Sequence, residues 1–313
     1  MHHADLTGNG RADIIITYQY GQTMVNSDPT GGKIDWLENP SDPDDLWKRH
    51  YIGRATSMHR LKVGRFTQDL KFEVLGLPIV GRPNDVHSIV PVKLFTQPDD
   101  LLNGDQWEEH IIDQGNYHVI HGISISKFHQ RFQVNQDCNL DSALIASEEG
   151  ITWLYYDLET EAWQRKLIGT GEITQASRTG FKGSGDVDLG RLGSDPAAYV
   201  ATVEPFHGNT IAVYIKDYQS QPSPGWDFCW RRVILDVYDN PNPLGEGPGH
   251  FVICADFDGD GDDEFLVALR GPEPWQGVFY YKVIDLEKGA IVKWRVSTDS
   301  AARIAVADFD GDG

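Results

Sequence analysis

Short apolar stretches, some alternating with polar residues and some continuous, run along the whole chain and are separated by clusters of Gly, Pro, Asp and Asn. Stretches of about four to eight residues punctuated in this way read as β-strands joined by turns. One phrase recurs five times: WKRHYI at 47–52, WEEHII at 107–112, WQRKLI at 163–168, WRRVIL at 230–235 and, more weakly, WRVS at 294–297. The tryptophans Trp47, Trp107, Trp163, Trp230 and Trp294 stand 60, 56, 67 and 64 residues apart. Each phrase mixes aromatic and β-branched residues with charges, as an edge strand with one wet face should, defended by Arg, Lys and Glu.

Before this strand most units carry an aromatic-rich one, KIDWLE at 33–38, ITWLYY at 151–156, TIAVY at 210–214 and VFYYK at 278–282. Earlier still comes a mainly apolar strand: DIIIT at 13–17, FEVLGL at 72–77, ALIA at 143–146, YVATV at 199–203 and EFLVA at 264–268. Such runs suit a central strand covered on both faces. A fourth strand precedes that one, as in VICAD at 252–256 and IAVAD at 304–308. No helix interrupts the pattern. Four short strands repeated at this period predict an all-β fold, a β-propeller of four-stranded blades, because a sandwich needs no repeat and a solenoid has shorter ones. The predicted blades are 1–57, 58–117, 118–176, 177–247 and 248–301, with part of a sixth at 302–313. Blades bury their faces on one another, so one or two more are expected to complete the ring.

Composition agrees with a packed globular chain: 313 residues, 40% hydrophobic and 11% aromatic. A formal charge of −20 repels phosphate backbones and anionic lipid, which argues against nucleic-acid and membrane partners. Cys138, Cys229 and Cys254 are too few and too far apart for a disulfide framework or a zinc knuckle. The sequence has no apolar run long enough to span a bilayer. The chain is expected to be soluble, with the cytoplasm favoured. It stops at Asp308, Asp310 and Asp312, partway through a motif seen complete earlier, and is read as a fragment.

That motif is Asp256, Asp258, Asp260, Asp262 and Glu264, with glycines between, and it places oxygens like an EF-hand loop without helices. Hard cations need six to eight oxygens, and Gly lets alternate carboxylates curl around one ion. Asp5, Thr7, Asn9, Arg11 and Asp13 repeat the spacing with less charge, the Arg11 position offering its backbone carbonyl. Mg²⁺ or Ca²⁺ here is expected to clamp a turn between strands. The rival reading is a polar turn without metal.

A second feature keeps the same period. His59, His121 and His250 occupy one repeat position, six residues before Arg65, Lys127 and Asp256, while Gly185 and Ala302 fall at that position in other units. In a propeller such positions converge on the axis. His207, in the turn EPFHGN at 204–209, could join them, with Glu204 alongside. Three imidazoles with one open position form the ligand set of a catalytic zinc. The bland alternative is that the eleven histidines are scattered; His50, His87, His110, His118 and His129 are read as ordinary surface or strand residues. Arg60 could hold a substrate oxygen.

The phrases MHHAD at 1–5, DIIIT at 13–17, GKIDWLENP at 32–40, MHRLK at 58–62, FHGNT at 206–210 and DDEFLVA at 262–268 resemble the fungal aldos-2-ulose dehydratases, also called anhydrofructose dehydratases. The Asp-rich loops likewise resemble those of FG-GAP and VCBS repeats. The resemblance implies a seven-bladed propeller followed by cupin and lectin-like domains, with one zinc in a propeller cleft and another in the cupin, and a homodimer. It implies loss of water from an aldosulose or 1,5-anhydrofructose, followed in the full-length protein by isomerisation. A zinc held by His59, His121, His250 and either His207 or Glu204 would polarise the keto-sugar carbonyl and acidify the adjacent C–H. His59, beside Arg60, is the chosen base if it is not a ligand, since imidazole titrates near neutrality. Two rival classes remain: a cation-stabilised propeller that binds carbohydrate or protein, with Trp36, Trp153 and Trp275 stacking on sugars, and a propeller polysaccharide lyase.

Overall fold

The computed structural model describes residues 1–19, 30–82, 84–103, 106–174, 180–222, 226–239 and 246–308. Among the described residues, twenty strands form five separate four-stranded antiparallel sheets, each in simple sequence order. The first holds β1 (His2–Ala4), β2 (Asp13–Tyr18), β3 (Lys33–Glu38) and β4 (Lys48–Arg54). The second holds β5 (Met58–Gly64), β6 (Glu73–Pro78), β7 (Val92–Thr96) and β8 (Glu108–Asp113). The third holds β9 (Gly122–Ser126), β10 (Ser142–Ser147), β11 (Gly150–Asp157) and β12 (Ala162–Gly169). The fourth comprises β13 (Asp186–Leu192), β14 (Asp195–Glu204), β15 (Thr210–Asp217) and β16 (Cys229–Val237). The fifth comprises β17 (Gly249–Ala255), β18 (Glu264–Leu269), β19 (Gly277–Asp285) and β20 (Ala290–Ser297).

The apolar runs do become the second strands, β6 and β10 being buried at every residue, and the Trp phrases become the outer edge strands. The first strands stand side by side: β1 against β5, β5 against β9, β9 against β13 and β13 against β17. Such an arrangement of consecutive meanders is that of propeller blades. Each inner strand is also a sheet edge whose outward N–H groups need partners. Side chains from the neighbouring sheet supply some: Asp186 Oδ2 accepts from Val252 N at 3.0 Å and Asp188 Oδ2 from Cys254 N at 2.8 Å.

Apolar burial lies between sheets. One cluster packs Ile15, Ile34 and Trp36 against Met58, Val74 and Phe95; another packs Leu75 and Leu94 against Ala143 and Ile145. Leu144 and Trp153 meet Val187 and Val200, and Tyr199 and Val213 meet Val252 and Phe265. Glycines at the ends of edge strands make room for the next sheet's rings. A Cβ on Gly53 would stand 2.3 Å from Phe95 and one on Gly169 1.9 Å from Tyr214.

The structure departs from the all-strand expectation at α1 (Phe128–Arg131), a single turn between β9 and β10. It carries Phe128 and, just beyond, Phe132 into the core beside Trp153, so burial rather than periodicity fixes it. The expected strand at 304–308 is absent, and Asp310 and Asp312 lie outside the described residues.

An up-and-down meander puts the second-to-third-strand turns and the connections between sheets at one end of the strands. The first-to-second turns, which include both Asp-rich loops, lie at the other end. In the fifth sheet's loop the oxygens of Asp256, Asp258 and Asp260 lie within 4.8 Å of one another. The Lys282 ammonium reaches the same loop, 2.5 Å from Asp258, 2.6 Å from Asp260 and 3.1 Å from the buried Glu264. Asp262 turns outward to accept from Gly193 N at 2.5 Å. The first sheet's loop is closed by its own backbone: Asp5 accepts from Asn9 N and Gly10 N, Asn9 from Arg11 N, and buried Asp13 from Leu6 N and Asn39 N. Arg11 points its guanidinium at Asn39 O, and Thr7 Oγ1 lies 3.5 Å from Asp5.

Candidate functional site

Three histidines from three sheets converge at the other end. His121 immediately precedes β9, His250 is the second residue of β17, and His207 stands in the β14–β15 turn. Their nearest ring nitrogens lie within 4.8 Å of one another. Ring centroids are 4.9 Å apart for His121 and His250, 5.0 Å for His207 and His250, and 5.2 Å for His121 and His207. His207 has φ +46°, rare for a residue with a Cβ, and its carbonyl is held by Gly247 N at 2.9 Å.

The repeat positions that lack a histidine still serve this cluster. His121 Nδ1 donates to Gly185 O at 2.7 Å, and His250 Nδ1 to Ala302 O at 2.7 Å. With Nδ1 protonated and tied to a carbonyl, Nε2 carries the lone pair, which is the orientation usual for metal-binding imidazoles. The same position in the third sheet repeats the arrangement, since His121 O accepts from Arg60 Nε at 2.6 Å.

Two guanidinium groups border the cluster. Arg60 Nη2 donates to His121 Nε2 at 3.0 Å, and Arg270 Nη2 to His207 Nδ1 at 3.1 Å, with Glu246 Oε2 3.6 Å from that nitrogen. Burial and positive neighbours keep these imidazoles neutral. Burial, then His207 and Arg270, takes His250 down to about 3, and burial lowers His121 and His207 also. Neutral, convergent imidazoles suit a divalent metal of the zinc type, with the arginines displaced from the lone pairs they cap.

His59 is placed differently from the other three. Its ring stacks on His121 at 5.4 Å and lies outside the convergent set. Burial, then Arg60 and Arg303, takes it down to about 2. Glu204 is a correction: its carboxylate is fully buried in the fourth sheet, where Tyr214 donates at 3.0 Å and Arg232 Nε at 2.8 Å. Burial pushes it up to about 7 despite Arg232. A strand residue three positions before His207 points to its own sheet, whereas the turn aims His207 at the axis. Trp36 and Trp153 are both buried between sheets, Trp36 against His50 at 4.1 Å and Trp153 bonded to Ser142 Oγ at 2.9 Å, and neither offers an open ring face of the kind a stacked sugar needs.

Sequence reasoning missed Arg270, Glu246 and the carbonyls of Gly185 and Ala302. The repeat register could have found the two carbonyls, because both stand at the histidine position. Arg270 and Glu246 carry no periodic signal. His87 and His118, read as ordinary residues, instead line a cavity of about 280 Å³ with Glu148, Gly180 and Lys182.

Residues 31–217 match the family described as aldos-2-ulose dehydratase, beta-propeller domain. The chain is 38% identical to the aldos-2-ulose dehydratase of Phanerodontia chrysosporium, the match covering all of this chain and 34% of the relative. This chain therefore spans about a third of that protein's length.

Proposed function

The chain belongs to the aldos-2-ulose dehydratase β-propeller family, and from that premise we propose that it is the dehydrating part of a metal-dependent hydro-lyase acting on aldos-2-uloses or 1,5-anhydrofructose. The observation that carries this reading is the convergence of His121, His207 and His250. These three would hold zinc, which when bound supplies a Lewis acid for the substrate's keto oxygen.

The remaining work falls to the chain's own groups. A base takes the proton from the carbon beside the carbonyl, and that C–H electron pair forms the enolate. The enolate then re-forms the carbonyl as the C–O bond to the β-hydroxyl breaks, a C=C bond forms, and the hydroxyl leaves with a proton as water. His59, adjacent to the cluster but outside it, is the proposed proton acceptor. Its protonated form becomes favourable only when negative charge develops beside it, which the enolate provides. Arg60, anchored through Nε on His121 O, can turn Nη2 from the His121 lone pair to the developing oxyanion. Arg270 stands equivalently beside His207.

Two further parts of the reading are structural. A cation at Asp256, Asp258 and Asp260 would compete with the Lys282 ammonium and would fasten a turn at the far end of the strands from the histidines. A homodimer is proposed from the family alone.

The test is metal analysis joined to turnover. About one zinc per chain is expected, with 1,5-anhydrofructose converted to an ultraviolet-absorbing enone, and both lost in a His121→Ala/His250→Ala double variant. Calcium alone, or turnover unchanged in that variant, would sink the reading; activity on uronate polymers instead would move it to the polysaccharide lyases.

A further inference from the structure

The cavity at His87 and His118 shares an end of the strands with the histidine cluster but is built from other residues. His87 comes from the β6–β7 connection, His118 from the β8–β9 connection, Glu148 from the β10–β11 turn, and Gly180 and Lys182 from the stretch before β13. A phenylalanine pair separates the two places: His87 lies 5.6 Å from Phe181, Phe181 4.5 Å from Phe206, and Phe206 stacks on His207 at 3.8 Å.

Both imidazoles of its wall are paired with carboxylates, of which Glu148 also lines the cavity. His87 Nδ1 is 2.5 Å from Glu148 Oε1, and His118 Nδ1 is 2.7 Å from Glu149 Oε1. The supporting turn is rigid. Glu149 Oε2 accepts from His118 N at 3.1 Å and from Ser147 Oγ at 2.8 Å, and Glu148 N donates to His118 O at 3.0 Å. Gly183, at φ +81°, lies so close that a Cβ there would stand 2.2 Å from Ser147 O and 2.5 Å from Glu148 O. Glu148 is buried although it carries a carboxylate at a cavity. A rigid, partly desolvated set of polar groups around a hollow is what binding sites for small molecules require.

The chemistry of the wall selects the ligand class. A divalent cation is excluded by geometry, since among the described residues the ligand atoms here do not draw together as those of the histidine cluster do. Among charged groups the lining carries one carboxylate, Glu148, and one ammonium, Lys182, and this balance favours neither an anion nor an organic cation. What remains is a neutral molecule that both donates and accepts, and vicinal hydroxyls do both at once. We propose that this cavity binds a neutral polyhydroxylated small molecule, a sugar or sugar-like polyol, at a place distinct from the three-histidine cluster and independent of its metal.

The test is isothermal titration of the whole chain with methyl α-D-glucopyranoside, a neutral pyranoside that cannot undergo the proposed elimination, alongside its 6-phosphate. Binding of the neutral glycoside is expected in wild type and in His250→Ala. It should weaken roughly five- to tenfold, the worth of one or two hydrogen bonds, in Glu148→Gln and in Lys182→Met. Lys182 is exposed, so its variant keeps the fold, and near-ultraviolet circular dichroism checks both. The inference is overturned by absence of binding, by affinity unchanged in both cavity variants, by tighter binding of the phosphate ester, or by loss in His250→Ala alone. A failed metal assay with these results intact would overturn the dehydratase reading and leave this one standing.

Discussion

Asp186 holds a buried carboxyl at the inner strands, bonded to Val252 N and pressed so closely against β9 that a Cβ on Gly122 would stand 2.3 Å from its Oδ1. Burial raises it to about 6, against the opposing pull of Arg303 and Arg60. A carboxyl raised on folding keeps its proton to higher pH than in the unfolded chain. Its contribution to stability is therefore full below about pH 4 and is lost as pH rises through about 6. Asp186→Asn keeps an acceptor for Val252 but cannot titrate. Wild type is expected to lose up to about 3 kcal/mol relative to that variant between pH 4 and pH 7, read from urea midpoints. His59 poses a different question, base or packing partner of His121. As the base, its Ala variant is expected to bind as much zinc as wild type but to lose about 10²–10⁴ in kcat. As a positioning residue only, zinc content falls together with activity.

Among the elements, the edge strands join sheets through their glycines. Gly53→Ala drives a Cβ into the Phe95 ring, and the expected loss is about 1–3 kcal/mol, the range of overpacked cores, measured by thermal or urea unfolding. The β17–β18 loop carries its own countercharge in Lys282, whose ammonium reaches three of its carboxylates. Lys282→Met is expected to bind Ca²⁺ about tenfold more tightly than wild type, measured by titration with a calcium indicator. An unchanged affinity would mean that the ammonium and the ion do not share the loop.

Across the whole molecule, the histidine cluster joins the third, fourth and fifth sheets. A metal bound only by the folded state stabilises by mass action, about 2.7 kcal/mol at a hundred times its dissociation constant. Zinc is therefore expected to raise the melting temperature by roughly 4 °C for a chain of this size, a gain that His250→Ala abolishes. Any gain from calcium, which the β17–β18 loop could bind, should by contrast be unchanged in His250→Ala, because imidazole is a poor ligand for that hard cation.

The sequence by itself determined the repeat, and through it the blades. Strand alternation and the recurring Trp phrase are local, so period and strand order could be read without coordinates. Family membership was legible for the same reason, in contiguous phrases such as GKIDWLENP and FHGNT. The common position of His59, His121 and His250 was legible too, but a register says which residues approach an axis, not which way each ring turns. Tertiary structure decided that His207 completes a set with His121 and His250 while His59 stacks alongside, because side-chain direction depends on turns and on carbonyls from neighbouring sheets. It also sent Glu204 into its own sheet with Arg232 and drew His87 and His118 to Glu148 and Glu149 across intervals of 61 and 31 residues. Nothing local marks such pairs; they exist only once the blades pack.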